Sequence, residues 1–387
     1  MSVIRVNYPN RRAVCARFWQ NKDRTNHSGV ERLYCLFHRT IGDTIVAHSM
    51  RASLAIRLFL LLTISLVVPA NLPGQADAPI APLPVFEFHS GFWLNLHHTL
   101  YRQARQQRSP GSTPIAAIAN LPATEQKAWD AAVAYYTEAY AGKDLLFSLD
   151  LVLIKNQLGD FETCDDLAGA KKRTCDAGLP KRLTEVLDAV APVYRAHLWA
   201  EHDRINRRWI AAVAPLVRRS GVDLSHRLAE IYQTDWPRER IRVDVTTFAN
   251  SSGAYTTLDP LRVTVASTDT RNQGPEALEI LFHEASHGIS DNVQDAILRE
   301  CRQRDKPVPR DLWHALLFYT TGEIIRPAVF SPNPGAPKTG YVPYAVREGL
   351  YKRGWEDYLR VLTDFWQPYL DGKTSFDDAI AHMVSAL

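Results

Sequence analysis

Cysteine is scarce: the 387 residues hold five, and two of these, Cys15 and Cys35, fall in the first 49. Of the remaining three, Cys164 and Cys175 flank a polar loop of ten residues and are expected to pair in an oxidising compartment. Cys301 is left over and reads as a buried thiol rather than a nucleophile. A charge excess is also missing, since the net charge is +3. Residues 1–49 supply +5 and residues 50–76 another +2, leaving −4 for the rest, which gives no basis for nucleic-acid binding. The apolar run at residues 58–68 is short of the roughly 20 residues that a spanning helix needs.

That short run explains the start of the chain. Met50-Arg51-Ala52-Ser53-Leu54-Ala55-Ile56-Arg57 precedes it, and small residues follow near Ala70 and Ala76. A basic segment, an apolar stretch and small residues have the shape of a secretory signal peptide. Residues 50–76 are therefore expected to be a signal, and residues 1–49, which show no sustained periodicity, a misassigned extension. No cysteine follows closely enough to suggest a lipid anchor. The mature protein is expected to be secreted or periplasmic, with no stable membrane insertion once the signal is removed.

Residues 77–235 read as a mainly helical N-terminal region without a chemical motif. A helix is expected after the aromatic and apolar run Phe86 to Leu96, ending near Gln107, and others at 124–141 with Thr124 as the N-cap, 145–158 and 180–219, the last with Pro192 as a break. The adjacent His97 and His98 read as ordinary polar surface. After Trp236-Pro237 the periodicity changes to two, and residues 240–248, 253–258 and 262–267 form three short β-rich runs. The fold class expected is α+β, mainly helical, with a small sheet beside one functional helix.

That helix carries the chemistry. In Ile280-Leu281-Phe282-His283-Glu284-Ala285-Ser286-His287-Gly288-Ile289, a turn of about 100° per residue puts His283 and His287 on one face, with Glu284 beside it. Two imidazoles without thiols suit zinc, and a neighbouring carboxylate can accept a proton from a water that zinc has acidified. Gly274-Pro275-Glu276 supplies the start signal, with Pro275 at the first helical position and Glu276 and Glu279 at the positive end of the dipole.

Through His283-Glu284-Ala285-Ser286-His287 the chain resembles the zincin metallopeptidases, closely over about ten residues and more loosely over residues 240–350. The resemblance implies a zincin-like catalytic region at 236–387, one zinc per chain held by both histidines, and Glu284 as general base. It also implies an exposed strand that pairs with an extended peptide or protein substrate, for which residues 250–257 are the candidate.

A third ligand is needed. The metzincin pattern would place a histidine at residue 293, which is Val. A carboxylate from a later helix, as in gluzincins, is the alternative, and Glu323 lies in the apolar helix expected to end at Pro327, where a lone carboxylate would be costly without a cation or metal. Glu323 is thus the expected ligand and His314 its rival. Nine helical steps separate them, so an unbroken helix excludes both binding one ion. Asp291, a turn beyond His287, is a candidate for orienting a histidine. Residues 331–343 read as a loop beside the cleft, and Tyr341, Tyr344 and Arg347 are candidate donors to an oxyanion. The function expected is zinc-dependent hydrolysis, with peptides as the leading substrate class. Alternatives are a zinc amidase acting on a non-protein substrate and a zinc-binding structural or interaction protein without turnover. N-terminal sequencing of exported protein is expected to start near residues 71–79, and any peptide from residues 1–49 would rule out the reading of this segment.

Overall fold

The computed structural model describes residues 83–108, 118–167, 178–330 and 340–387. The segments read as extension and signal lie outside them, as does Cys175. Cys164 is disulfide-bonded, and Cys301 is a buried free thiol. Among the described residues no helix is long and apolar enough to cross a membrane.

The expectation of an α+β fold, mainly helical with a small sheet, is met. The chain runs β1 (Phe86–His89), α1 (Phe92–Gln107), α2 (Ala123–Ala139), α3 (Leu149–Asp160), α4 (Lys181–Tyr194) and α5 (Ala200–Tyr232). Then come β2 (Ile241–Thr246), β3 (Ala254–Leu258), β4 (Leu261–Ala266), α6 (Gly274–Ser286), α7 (Asp291–Gln303) and α8 (Leu312–Phe330). Four further helices close the described chain: α9 (Tyr344–Arg347), α10 (Glu356–Val361), α11 (Gln367–Leu370) and α12 (Phe376–Ala386).

The sheet has the order β1-β2-β4-β3. β1 and β4 both pair in parallel with β2, and β3 returns antiparallel on β4 as an edge. β1 has no counterpart in the sequence reading, which took its aromatics as the lead-in to a helix. Because β1 comes from the helical region and pairs with β2, the expected boundary near residue 235 runs through a shared sheet.

The alternation of each strand sorts the two faces. Phe86, Phe88, Ile241, Val243, Val245, Val263 and Val265 belong to a core shared with α5, α6, α7, α8 and the C-terminal helices. α1–α4 build a second core on the other face, joined by Tyr255 and Ala266. His97 and His98 belong to this second side. They are buried, not surface: His97 Nδ1 meets the Tyr136 hydroxyl at 2.7 Å, and His98 lies between the Phe248 carbonyl at 2.7 Å and Tyr255 at 3.1 Å. The reading failed because adjacent helical positions can both be covered when layers pack on two sides.

Two prolines also behave differently from expectation. Pro192 lies inside α4, which continues through a π-helical turn at Arg195–Trp199 into the 33-residue α5. Pro327 lies inside α8 rather than ending it. Each removes one backbone donor, a loss that close packing of the remaining turns can offset. Pro122, not Thr124, occupies the N-cap position of α2.

Between the sheet and α3 sits a buried charged group. Asp244 receives Arg242 Nε at 2.7 Å and lies 3.6 Å from Lys155 Nζ, and both Asp244 and Lys155 are almost wholly covered. Burial pushes the Lys155 ammonium down to about 8 against the pull of Asp244. Burial would raise Asp244, but Arg242 and Lys155 outweigh it and hold the carboxyl at about 2. The stabilisation from Asp244 is therefore full above about pH 4 and lost as pH falls towards 2. Asp244→Asn is expected to cost about 3 kcal/mol or more at neutral pH by denaturant titration, because the buried Lys155 loses its counter-charge while Arg242 keeps Glu162. The deficit should narrow on acidification as the parent itself protonates.

Candidate metal centre

The functional helix forms where the sequence places it. α6 starts at Gly274 with Pro275 in its first turn, and its apolar face, including Leu278, Leu281, Phe282 and Ala285, is buried in the main core. Phe282 packs edge-on against Phe86 at 5.1 Å between ring centroids, which fixes α6 to the sheet. The opposite face then carries His283 and, at the start of the following 3-10 turn, His287, with ring centroids 5.1 Å apart.

α8 supplies the third imidazole. The ligand atoms of His283, His287 and His314 all lie within 4.8 Å of one another, and the two Nε2 atoms of His283 and His314 are 3.2 Å apart. Two nitrogens bound to one zinc at about 2.05 Å with a tetrahedral angle would stand about 3.3 Å apart. Burial lowers the pKa of all three rings, that of His287 to about 4, and the proximity of the other imidazoles lowers His283 and His314 further. All three are thus neutral at pH 7, the form that binds a metal. Two neutral rings facing each other through Nε2 can share one proton at most. His283 Nδ1, on the other side of its ring, is buried without a hydrogen-bond partner among the described residues. This donor set fits a zinc ion.

Glu323 is not part of this group. α8 is continuous through Thr320 and Thr321, whose hydroxyls bond back to the Leu316 and Leu317 carbonyls, so Glu323 falls on the face opposite His314. There it pairs with Arg326 at 2.5 Å. A carboxylate in an apolar helix does need a cation, and Arg326, three residues on, is the cation it has. The phase argument separating Glu323 from His314 holds, and His314, not Glu323, is the residue of α8 that lies with the other two imidazoles.

Glu284 lies against the edge strand. The Thr256 hydroxyl donates to Glu284 Oε2 at 2.6 Å and sits 2.9 Å from the Glu284 carbonyl. Burial raises the carboxyl to about 7, with the Thr256 hydrogen bond acting against it. Gly253 O accepts from Ala266 N at 2.8 Å, so in the antiparallel register Tyr255 and Thr257 point their backbone groups at β4, while those of Ala254 and Thr256 point away from it. Ala254 to Thr257 are all buried, so this edge is covered rather than exposed as the sequence led one to expect. The segment 250–257 expected to meet substrate therefore contains the edge strand, and Thr256 connects that edge to Glu284.

The two candidate tyrosines have different surroundings. Tyr341 donates its hydroxyl to Glu279 Oε2 at 2.5 Å, an interaction that turns it away from an oxyanion role. Tyr344 stacks on Phe318 with centroids 5.8 Å apart and rings 9° from parallel, and Phe318 stacks on His283 at 3.6 Å. Burial raises the Tyr344 hydroxyl, Arg271 offsets part of that, and Glu348, Asp269 and Glu284 raise it again. Arg347 pairs with Glu276 on α6. Asp291 opens α7, and most of the expected loop at 331–343 lies outside the described residues.

Glu279 and Phe318 were missed as site neighbours, and Thr256 lies in the candidate strand 250–257 without having been singled out. Glu279 had a signal: it lies four residues before His283, hence on the same face, between Leu278 and Ile280, where a carboxylate needs partners. No protein-family model, curated protein or solved structure matches this chain.

Burial pushes Glu279 up to about 7, with the Tyr341 and Tyr344 hydrogen bonds opposing the shift. Its folded-state pKa exceeds the unfolded value near 4.5, so its stabilisation is full below about pH 4.5 and fades as pH rises through 7. In metal-free protein the stability advantage of the parent over Glu279→Gln is expected to be largest near pH 5 and to shrink by pH 8, as read from urea midpoints.

Proposed function

We propose that this chain is a zinc-dependent hydrolase of zincin-like architecture, with His283, His287 and His314 as the metal ligands and peptide bonds as the substrate class. The observation that carries the reading is the convergence of three imidazoles, His283 buried and His287 and His314 half-buried, with Glu284 next to His283 on the same helix. Three protein ligands leave a tetrahedral ion one open position, whereas a structural site closes all four. That difference favours turnover over a structural role.

When bound, zinc supplies Lewis acidity and brings the pKa of water at its open position to about 7. Glu284 takes up the proton there and returns it to the leaving amine. A carboxyl held near 7 suits both halves of that task, and Thr256 fixes the oxygen that is not receiving the proton. Strand-like pairing with an extended substrate would use the backbone groups of Ala254 and Thr256 that face away from β4, and would have to uncover them. The Tyr344 hydroxyl donates to the carbonyl oxygen as negative charge develops on it. A small amide outside proteins would use the same residues but would make less of the strand edge. Export to an extracytoplasmic compartment accords with the signal-like segment at residues 50–76.

Elemental analysis of protein starting near Asp77 is expected to give about one zinc per chain. His283→Ala and His314→Ala should lose it, and Glu323→Ala should keep it. Glu284→Gln should retain zinc while losing roughly 10²- to 10⁴-fold in hydrolysis of a labelled, unfolded casein. Parent protein without zinc after reconstitution would overturn the reading.

A further inference from the structure

Glu279 is one helical turn before His283 and is wholly buried, yet it touches no atom that the proposed chemistry needs. Its partners all come from one segment. Both carboxylate oxygens lie 3.0 Å from the Tyr344 backbone N–H, and the Tyr341 hydroxyl closes on Oε2. Tyr344 begins α9, so this carboxyl receives the first backbone donor of that short helix and a side-chain donor three residues earlier.

α8 has been shaped to allow the approach. A Cβ on Gly322 would lie 2.5 Å from Pro343 Cβ and 3.1 Å from Glu279 Oε1. Any side chain there would force the segment outwards. α6, α8 and residues 341–344 therefore meet around a single carboxyl group. On the other side of that meeting point Tyr344 lies parallel to Phe318, and Phe318 parallel to His283. Ring stacking sets the plane of Tyr344, and the backbone bond to Glu279 sets its position along that plane.

We propose that Glu279 is a positioning residue that fixes the Tyr344 hydroxyl beside the metal centre, acting through the Tyr344 backbone and the Tyr341 hydroxyl. The inference rests on the zinc reading given above and adds to it the element that orients the oxyanion donor. Glu279 itself touches neither substrate nor metal. Tyr341 supports the same carboxyl from the other side, which accounts for a buried hydroxyl directed away from the site.

The test uses cobalt(II)-loaded protein starting near Asp77, with acetohydroxamate as an anionic probe of the open coordination position and the visible cobalt spectrum as readout. All variants should bind one cobalt per chain with the parent spectrum, since the three histidines are untouched. Tyr344→Phe is expected to weaken acetohydroxamate about ten-fold, the effect of one lost hydrogen bond to a charged group. Glu279→Gln should weaken it by a similar factor, and the double variant no further than Tyr344→Phe alone. Tyr341→Phe, a milder change that leaves the Glu279 carboxyl in place, should give a smaller loss in the same direction. Additive effects in the double variant, or an unchanged affinity in Glu279→Gln while Tyr344→Phe is impaired, would overturn the positioning role. An unchanged affinity in Tyr344→Phe would overturn the donor role and the inference with it. Parent protein that takes up no cobalt would overturn the zinc reading itself.

Discussion

The approach of His283 to His314 is the constraint on which the site depends. Two neutral imidazoles whose Nε2 atoms are 3.2 Å apart can share only one proton, and the burial of His283 leaves its Nδ1 without a hydrogen-bond partner among the described residues. The rings are held there by what surrounds them. Phe282 ties α6 to β1, Phe318 lies against the face of His283, and Trp313 stacks on His314 at 5.2 Å. The sheet and the C-terminal helices bury the rest of both elements. The folded core thus holds three imidazoles in an arrangement that could take a metal ion with little reorganisation.

Sequence periodicity was enough for the α+β class, for the three strands from residue 241 to 266 and for the start of α6 at Gly274. These elements carry local signals: alternation of β-branched residues in the strands, and a proline with acidic residues at the helix start. β1 carried no such signal, because Phe86 to His89 is too short for alternation to be distinguished from an aromatic helix start, and its partner is far away in sequence. His97 and His98 were misjudged for a related reason. Their burial comes from β2, β3 and α2 packing on two sides, which no pattern within α1 records.

The third ligand shows where local reasoning stops. Helical phase correctly set His314 and Glu323 on opposite faces, but nothing within α8 says which face meets α6. Burial cost pointed to Glu323, and Arg326 met that need from within the same helix. Gly322 carried the missing information in a form that is difficult to read. It marks the line along which α8 touches Pro343 and Glu279, and only the assembled core shows that this line leads to the site.

Strand β1 pairs in parallel with β2 about 150 residues further on, with the whole helical layer between them. A chain made from its N-terminus must therefore carry Phe86 and Phe88 without their sheet partner until β2 has emerged. Such distant pairing slows folding and leaves an adhesive aromatic segment available to other chains in the meantime. The order in which the chain is made thus separates the first strand from the partner that completes it, and the helical layer must form around a sheet edge that is not yet there.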